Sequence, residues 1–193
     1  IELAHAGKQV MLLLDEAQRD WDRFQKSEHR RNALYNAAQL LENDQNYAKA
    51  ADQFKRYAQI APNQDEAAEA YFRSGRIYEK MKDNGRTIQT FRDFMKRYGA
   101  SPSQSARVVE ANFKIAEVYV RQRDRRQADQ WYKKAVGDYN SRRVTPGSDA
   151  AEFAAKAQFK LTEPQFDDYQ KRKINATSIP ALKAEVTRFK DTA

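Results

Sequence analysis

Residues 105–139 of the chain read SARVVEANFKIAEVYVRQRDRRQADQWYKKAVGDY and contain the spacing that decides the fold. The small residue Ala116 is followed twelve residues later by Ala128, and the aromatic residue Tyr132 comes four residues after that. Two helices approach most closely where their side chains are smallest. The spacing therefore predicts a hairpin of two helices that cross at the two alanines.

The same spacing of small, small or slim, and aromatic residues occurs twice more in the chain. It is found in Ala38, Ala50 and Phe54, and again in Gly75, Thr87 and Phe91. The distances within a unit are constant, whereas the first small residues of successive units are separated by 37 and then by 41 residues. Constant units with variable connections predict an array of stacked helical hairpins, a type of protein that usually binds other chains.

The amino-acid composition favours an all-α fold. Charged residues make up 32% of the 193 residues and hydrophobic residues 40%, with only six glycines and five prolines. Alanine, glutamine, lysine, arginine and glutamate are strong helix formers, and the β-branched residues are thinly spread. We predict helices throughout and no sheet.

The residues needed for the common kinds of enzyme site are missing from the sequence. It has no cysteine, which excludes disulfides, thiolate zinc ligands and cysteine nucleophiles. His5 and His29 have no further ligands at metal-binding spacing, and no glycine-rich phosphate loop or nucleophile elbow occurs. We expect a non-enzyme that binds no metal or cofactor. The longest apolar run, residues 10–14, is too short to cross a membrane.

The pattern divides the chain into five segments. They are an N-terminal amphipathic helix over residues 1–30, hairpins over 31–64, 65–101 and 105–140, and a degenerate fourth repeat with C-terminal capping helices over 149–193. The N-terminal helix is either a simple cap or the second helix of a truncated repeat. Pro164 is expected to interrupt or kink its helix because proline has no N–H donor. The ends, Ile1 and Ala193, are expected to be cuts in a longer protein.

The pattern of small and aromatic residues over positions 32–139 resembles the tetratricopeptide repeat. The first unit matches with Ala38, Ala50, Phe54 and Pro62, the second with Gly75, Tyr78 and Phe91, and the third with Ala116, Tyr119, Ala128 and Tyr132. The resemblance implies a right-handed α-solenoid of antiparallel hairpins that acts as a non-catalytic scaffold for protein–protein interaction. The variable repeat length looks like that of bacterial cell-envelope members, the outer-membrane assembly lipoproteins and the Tol–Pal coordinator. It implies a periplasmic or envelope location, with the cytoplasm as the alternative.

The resemblance also implies a binding surface, because the first helix of each hairpin lines the concave face in this family. The residues expected there are Tyr35, Asn36, Gln39, Asn43, Phe72, Arg73, Arg76, Lys80, Phe113, Lys114, Glu117, Arg121, Phe159 and Lys160. They would place a ladder of rings beside a ladder of basic groups, suited to a peptide or domain with acidic groups. The alternative is that the rings are core packing and the basic row is a solvated face.

The net charge of +8 and the isoelectric point near 9.6 leave a second function open. A basic chain can act as an adaptor on nucleic acid or on an anionic membrane surface. Acidic residues are interspersed and no nucleic-acid recognition motif occurs, so nucleic acid is disfavoured while peripheral membrane contact remains open. A third interpretation is a passive spacer within a longer array.

Overall fold

The computed structural model describes Gln9, Val10, Leu12 and residues 28–142, 144–171 and 178–190. From Glu28 onward, these residues form eight α-helices and contain no strand. The helices are α1 (Glu28–Asn43), α2 (Tyr47–Ile60), α3 (Gln64–Lys80), α4 (Asn84–Tyr98), α5 (Ser105–Arg121), α6 (Arg125–Ser141), α7 (Asp149–Lys171) and α8 (Ile179–Lys190). The predicted all-α fold is confirmed. Most of the expected N-terminal helix lies outside the described residues.

The helices pack as a linear stack of hairpins. Each helix from α1 to α6 packs against the next along the chain, and α5 also contacts α7. Contacts between neighbours in sequence, repeated along the chain, are what an α-solenoid requires, and the predicted hairpin array is confirmed. We call α1, α3 and α5 the first helices of the three hairpins and α2, α4 and α6 the second helices.

The turn inside each hairpin has the same backbone geometry. Its middle residue, Gln45, Lys82 or Arg123, has a φ angle between 57° and 61°. The next residue donates its N–H to the carbonyl oxygen five residues earlier at 2.8–3.0 Å (Asn46 to Leu41, Asp83 to Tyr78 and Asp124 to Tyr119). A left-handed residue closed by this bond ends a helix sharply. Three copies of one turn explain why the spacing across the hairpins is constant.

The small residues lie where the two helices of a hairpin meet. Ala38, Ala50, Thr87, Ala116 and Ala128 have no exposed surface. Gly75 meets the ring of Phe91, and a Cβ atom placed on Gly75 would lie 2.7 Å from Cε1 of that ring. The ring is fully buried and cannot move aside, so the second hairpin needs a glycine at this position.

Replacing Gly75 with alanine should therefore destabilise the protein despite the better helix propensity of alanine. We expect the free energy of unfolding of Gly75→Ala to fall by about 1–3 kcal/mol through overpacking. The matched control is Gly137→Ala in α6, where the added Cβ meets no atom within 4 Å. That variant should gain about 0.5–1 kcal/mol from helix propensity alone. Urea unfolding measures both, and a Gly75→Ala protein as stable as the wild type would contradict the packing.

The helix α7 continues through Pro164 without interruption. Proline lacks the N–H that would bond to the carbonyl oxygen of Lys160 one turn earlier. A guanidinium from the preceding hairpin takes its place, because Nη2 of Arg125 in α6 donates to that carbonyl oxygen at 2.5 Å. The helix is thus not interrupted at Pro164, and the alternative expectation, a kink there, stays a prediction. The same bond attaches α7 to the third hairpin.

A double-mutant cycle tests this substitution of donors. Arg125→Ala should lower the free energy of unfolding by about 0.5–1.5 kcal/mol, the usual contribution of one hydrogen bond. In a Pro164→Ala background the new backbone N–H donates to the carbonyl oxygen of Lys160. Arg125→Ala should then lower the free energy of unfolding by a measurably smaller amount. Arg126→Ala, at an exposed neighbouring arginine, is the control and should have little effect. Equal costs of Arg125→Ala in both backgrounds would exclude the proposed role.

Candidate partner-binding groove on the first helices

The aromatic residues predicted to form a ladder differ widely in burial, and one of them is part of the core. Phe72 is 3% exposed, and its ring centre lies 5.2 Å from that of Phe91 and 4.9 Å from that of Phe94. Little of its surface is therefore accessible to a partner. The structure therefore places Phe72 in the packing between the two helices of its own hairpin.

Tyr35 and Phe113 occupy the same position in their hairpins and are half-buried. Tyr35 lies 5.1 Å from Tyr57, and Phe113 lies 5.7 Å from Tyr132, centre to centre. Both rings thus pack on the second helix of their hairpin and leave part of their edge accessible. Phe159, at the corresponding position of α7, is 61% exposed. The four rings do not form one continuous surface.

The basic residues predicted to line the same face are largely engaged in ion pairs between neighbouring hairpins. Nε of Arg73 in α3 lies 2.8 Å from Glu42 in α1. Arg76 in α3 donates through Nε and Nη2 to the two carboxylate oxygens of Glu110 in α5, at 2.8 and 2.6 Å. The pairs connect consecutive first helices, so they fix how the hairpins stack.

Two further basic residues of the predicted set also have acidic partners. Nζ of Lys114 in α5 lies 2.7 Å from Glu79 in α3, and Nζ of Lys160 lies 3.1 Å from Glu163 within α7. Sequence reasoning identified the basic members of these pairs and missed the acidic ones. The partners are separated by 31–35 residues between hairpins, so only the stacked structure brings them together.

The remaining predicted residues are more accessible. Asn36, Asn43, Lys80 and Arg121 are exposed, and Gln39 is half-buried. Lys80 lies over the ring of Tyr47, with Nζ 4.6 Å from its centre. Glu117 accepts a hydrogen bond from the hydroxyl of Tyr132, which ties it to the second helix of its hairpin.

Two adjoining cavities lie along the first helices, and together we call them the groove. The larger has a volume of about 410 Å³ and the smaller about 190 Å³. The larger is lined by Glu42, Glu69, Phe72, Arg73, Arg76 and Arg107, and the smaller by Asn32, Tyr35, Asn36, Tyr57, Glu66 and Glu69. Glu69 lines both. The smaller cavity is lined by two carboxylates and no lysine or arginine, whereas the larger is lined by three arginines and two carboxylates.

A hydrogen-bond network holds the wall of the smaller cavity. The hydroxyl of Tyr57 donates to Oε2 of Glu66 at 2.6 Å, and Nδ2 of Asn63 donates to Oε1 of Glu66 at 2.8 Å. Asn63 in turn caps α3, because its side-chain oxygen accepts the N–H of Glu66 at 2.9 Å. Burial, together with the bond to Glu66, raises the pKa of Tyr57 to about 12.

Two features are absent from the described part of the chain, a metal-binding cluster and a membrane-spanning helix. Within it, no group of three or more histidine, cysteine, aspartate or glutamate residues could hold a metal ion. Of the helices that the structure describes, none combines the length and apolar character needed to span a bilayer.

Comparison with known families explains the repeated geometry. Sequence models of the tetratricopeptide repeat match residues 32–63, 69–101 and 109–137, which correspond to the three hairpins. The chain contains tetratricopeptide repeats. Such repeats generally mediate protein–protein interactions, and proteins that contain them are typically non-catalytic scaffolds. A search of curated proteins finds no match to this chain, and no relative supports the cell-envelope type.

The network around Tyr57 predicts a specific pH dependence. A tyrosine whose pKa is near 10 when unfolded and about 12 when folded stabilises the protein below pH 10. This stability is lost as the pH rises from 10 towards 12, because the unfolded chain loses its proton first. A Tyr57→Phe variant should therefore lose less stability than the wild type over this interval. Urea unfolding at several pH values measures this loss of stability, with Tyr119→Phe as the control. If the free energy of unfolding falls equally with pH in Tyr57→Phe and in the wild type, the raised pKa of Tyr57 is contradicted.

Proposed function

We propose that this protein is a non-catalytic scaffold that captures a peptide or an extended segment of a partner protein in the groove. The observation that carries the proposal is the pair of adjoining cavities, about 410 and 190 Å³, on the first helices of the tetratricopeptide repeats. Cavities of a few hundred Å³ have room for one or a few side chains of a partner, and the lining here is mostly polar or charged.

The stacking of the hairpins supports a preformed groove. Ion pairs from Arg73 to Glu42 and from Arg76 to Glu110 join three consecutive first helices, and Glu110 is only 5% exposed. Side chains held in this way lose little further freedom when a partner binds. The groove is therefore suited to binding an extended segment without rearrangement of the repeats.

The charges along the groove favour a partner segment whose two ends carry opposite charges. Glu66 and Glu69 provide acceptors in the smaller cavity, where the half-buried ring of Tyr35 adds contact area. In the larger cavity Arg73 uses Nε for Glu42, and its terminal nitrogens have no acceptor among the described residues, so an acidic group of a partner could bind there. We propose a basic residue of the partner at the first end and an acidic residue at the second.

The setting that we propose is a bacterial cell envelope, with the cytoplasm as the alternative. Two observations support the envelope: the variable lengths of the repeats and the net charge of +8, which suits a protein working beside anionic lipid.

Blocking the groove tests the proposal. A library of displayed random peptides is selected against the full chain, and the selected peptides are measured against two variants by calorimetry. Asn36→Trp places a large ring at an exposed position of the smaller cavity and should weaken binding at least about 10-fold through steric exclusion. Gln130→Trp, at an exposed position of the second helix α6, should leave the affinity unchanged.

Two results would contradict the groove as the binding site. The first is that peptides are selected but bind Asn36→Trp as tightly as the wild type. The second is that no peptide is selected at all, which favours the spacer interpretation. Circular dichroism spectra that match the wild type establish that both tryptophan variants retain their helices.

A further inference from the structure

The positive charge of the protein is concentrated on one set of helices. The first helices α1, α3 and α5 together contain eight lysine or arginine residues and eight aspartate or glutamate residues. The second helices α2, α4 and α6 contain eleven basic residues and four acidic ones. A chain with a net charge of +8 thus has a neutral set of first helices and a strongly basic set of second helices.

The two sets also differ in whether their basic groups have acidic partners. On the first helices, Arg73, Arg76, Arg107 and Lys114 all lie within 4.0 Å of a glutamate oxygen. On the second helices, eight exposed basic side chains form no ion pair with any described residue. We call these the basic face: Lys49, Arg56, Arg92, Lys96, Arg97, Arg126, Lys133 and Lys134.

The aromatic rings on this side of the molecule are covered by cations. Trp131 is only 6% exposed, with Nζ of Lys134 at 4.0 Å and the guanidinium of Arg92 at 5.1 Å from its ring centre. Each large apolar side chain that is exposed in the described ranges lies outside α2, α4 and α6. The basic face therefore offers charge without rings for stacking or apolar groups for insertion.

We infer that the basic face binds the surface of a bilayer that contains acidic phospholipids. Each lysine or arginine near such a surface contributes about 1 kcal/mol of attraction, and the attraction falls off within a Debye length. The eight residues are spread over three helices, so they match a charged plane better than a single strand. The groove is formed by other side chains, so binding of lipid leaves it open.

The features needed for nucleic acid are weaker on this face. Binding of single strands relies on exposed aromatic platforms, and here the ring of Trp131 is covered. Reading of a duplex requires side chains that reach base edges from a helix in the major groove. A nucleic-acid strand would also need a channel beside the basic residues. Neither cavity of the groove is lined by a residue of the basic face, so neither provides such a channel. Phosphate headgroups arranged in a plane fit the observed chemistry best.

Co-sedimentation of the full chain with vesicles tests this inference. Vesicles of phosphatidylcholine alone should not bind, whereas vesicles with added phosphatidylglycerol should bind, with an affinity that falls steeply as salt is added. The triple variant Arg56→Gln, Lys96→Gln and Lys133→Gln removes one unpaired charge from each second helix. Its affinity for the acidic vesicles should be at least about 10-fold lower.

The control variant removes the same charge elsewhere. This second triple variant changes exposed residues of α3, α5 and α8 (Lys80→Gln, Arg121→Gln and Lys183→Gln). Its affinity for the acidic vesicles should stay within about 2-fold of that of the wild type. Three outcomes would overturn the inference. The first is a loss of affinity for acidic vesicles in the control variant as large as that in the first triple variant. The second is unchanged vesicle binding by the first triple variant, and the third is tighter binding of duplex DNA than of acidic vesicles at the same salt concentration.

Discussion

The three-residue turn inside each hairpin is the constraint on which the rest of the structure depends. A single left-handed residue, Gln45, Lys82 or Arg123, reverses the chain and sets the register of the second helix against the first. This register brings the small residues to the crossing and places Gly75 against Phe91. Once each hairpin is closed in this way, its first-helix aromatic packs inside it, and the first helices stand at distances that ion pairs can bridge.

Those ion pairs give the protein two faces with different electrostatics. The carboxylates of Glu42, Glu79 and Glu110 neutralise basic groups of neighbouring first helices. The second helices lack acidic partners in comparable number, so their lysine and arginine side chains stay in solvent. A groove with local positive and negative ends is suited to selecting a peptide, whereas a face of one sign is suited to long-range attraction. The two proposals thus rest on different residues of the same repeats.

The hairpin array could be predicted because steric rules operate over short distances in the sequence. A small residue and an aromatic at a fixed spacing have one efficient arrangement, and Ala116, Ala128 and Tyr132 adopt it. The turn residues could also have been found, since each is polar, lies seven residues after the small residue and precedes an asparagine or aspartate.

The binding surface was harder to predict. Helical periodicity places Phe72 and Phe159 at equivalent positions, yet one is 3% and the other 61% exposed, because only Phe72 has a second helix packed over it. The partner of Arg76 lies 34 residues away in sequence, and the donor to Lys160 lies 35 residues away, so both depend on how the hairpins stack. Such contacts leave no local pattern in a single sequence.

The uncovered ring of Phe159 has a practical consequence for handling the protein. Phe166 on the same helix is 59% exposed, and Ile179, Leu182 and Val186 form a second apolar row on α8. Five of the seven large apolar side chains that are exposed among the described residues lie on α7 and α8, and the other two are Leu12 and Val120. Adhesion of the concentrated protein to itself, to detergents or to surfaces should therefore originate from its C-terminal helices, and polar replacements there are the first choice for improving its solubility.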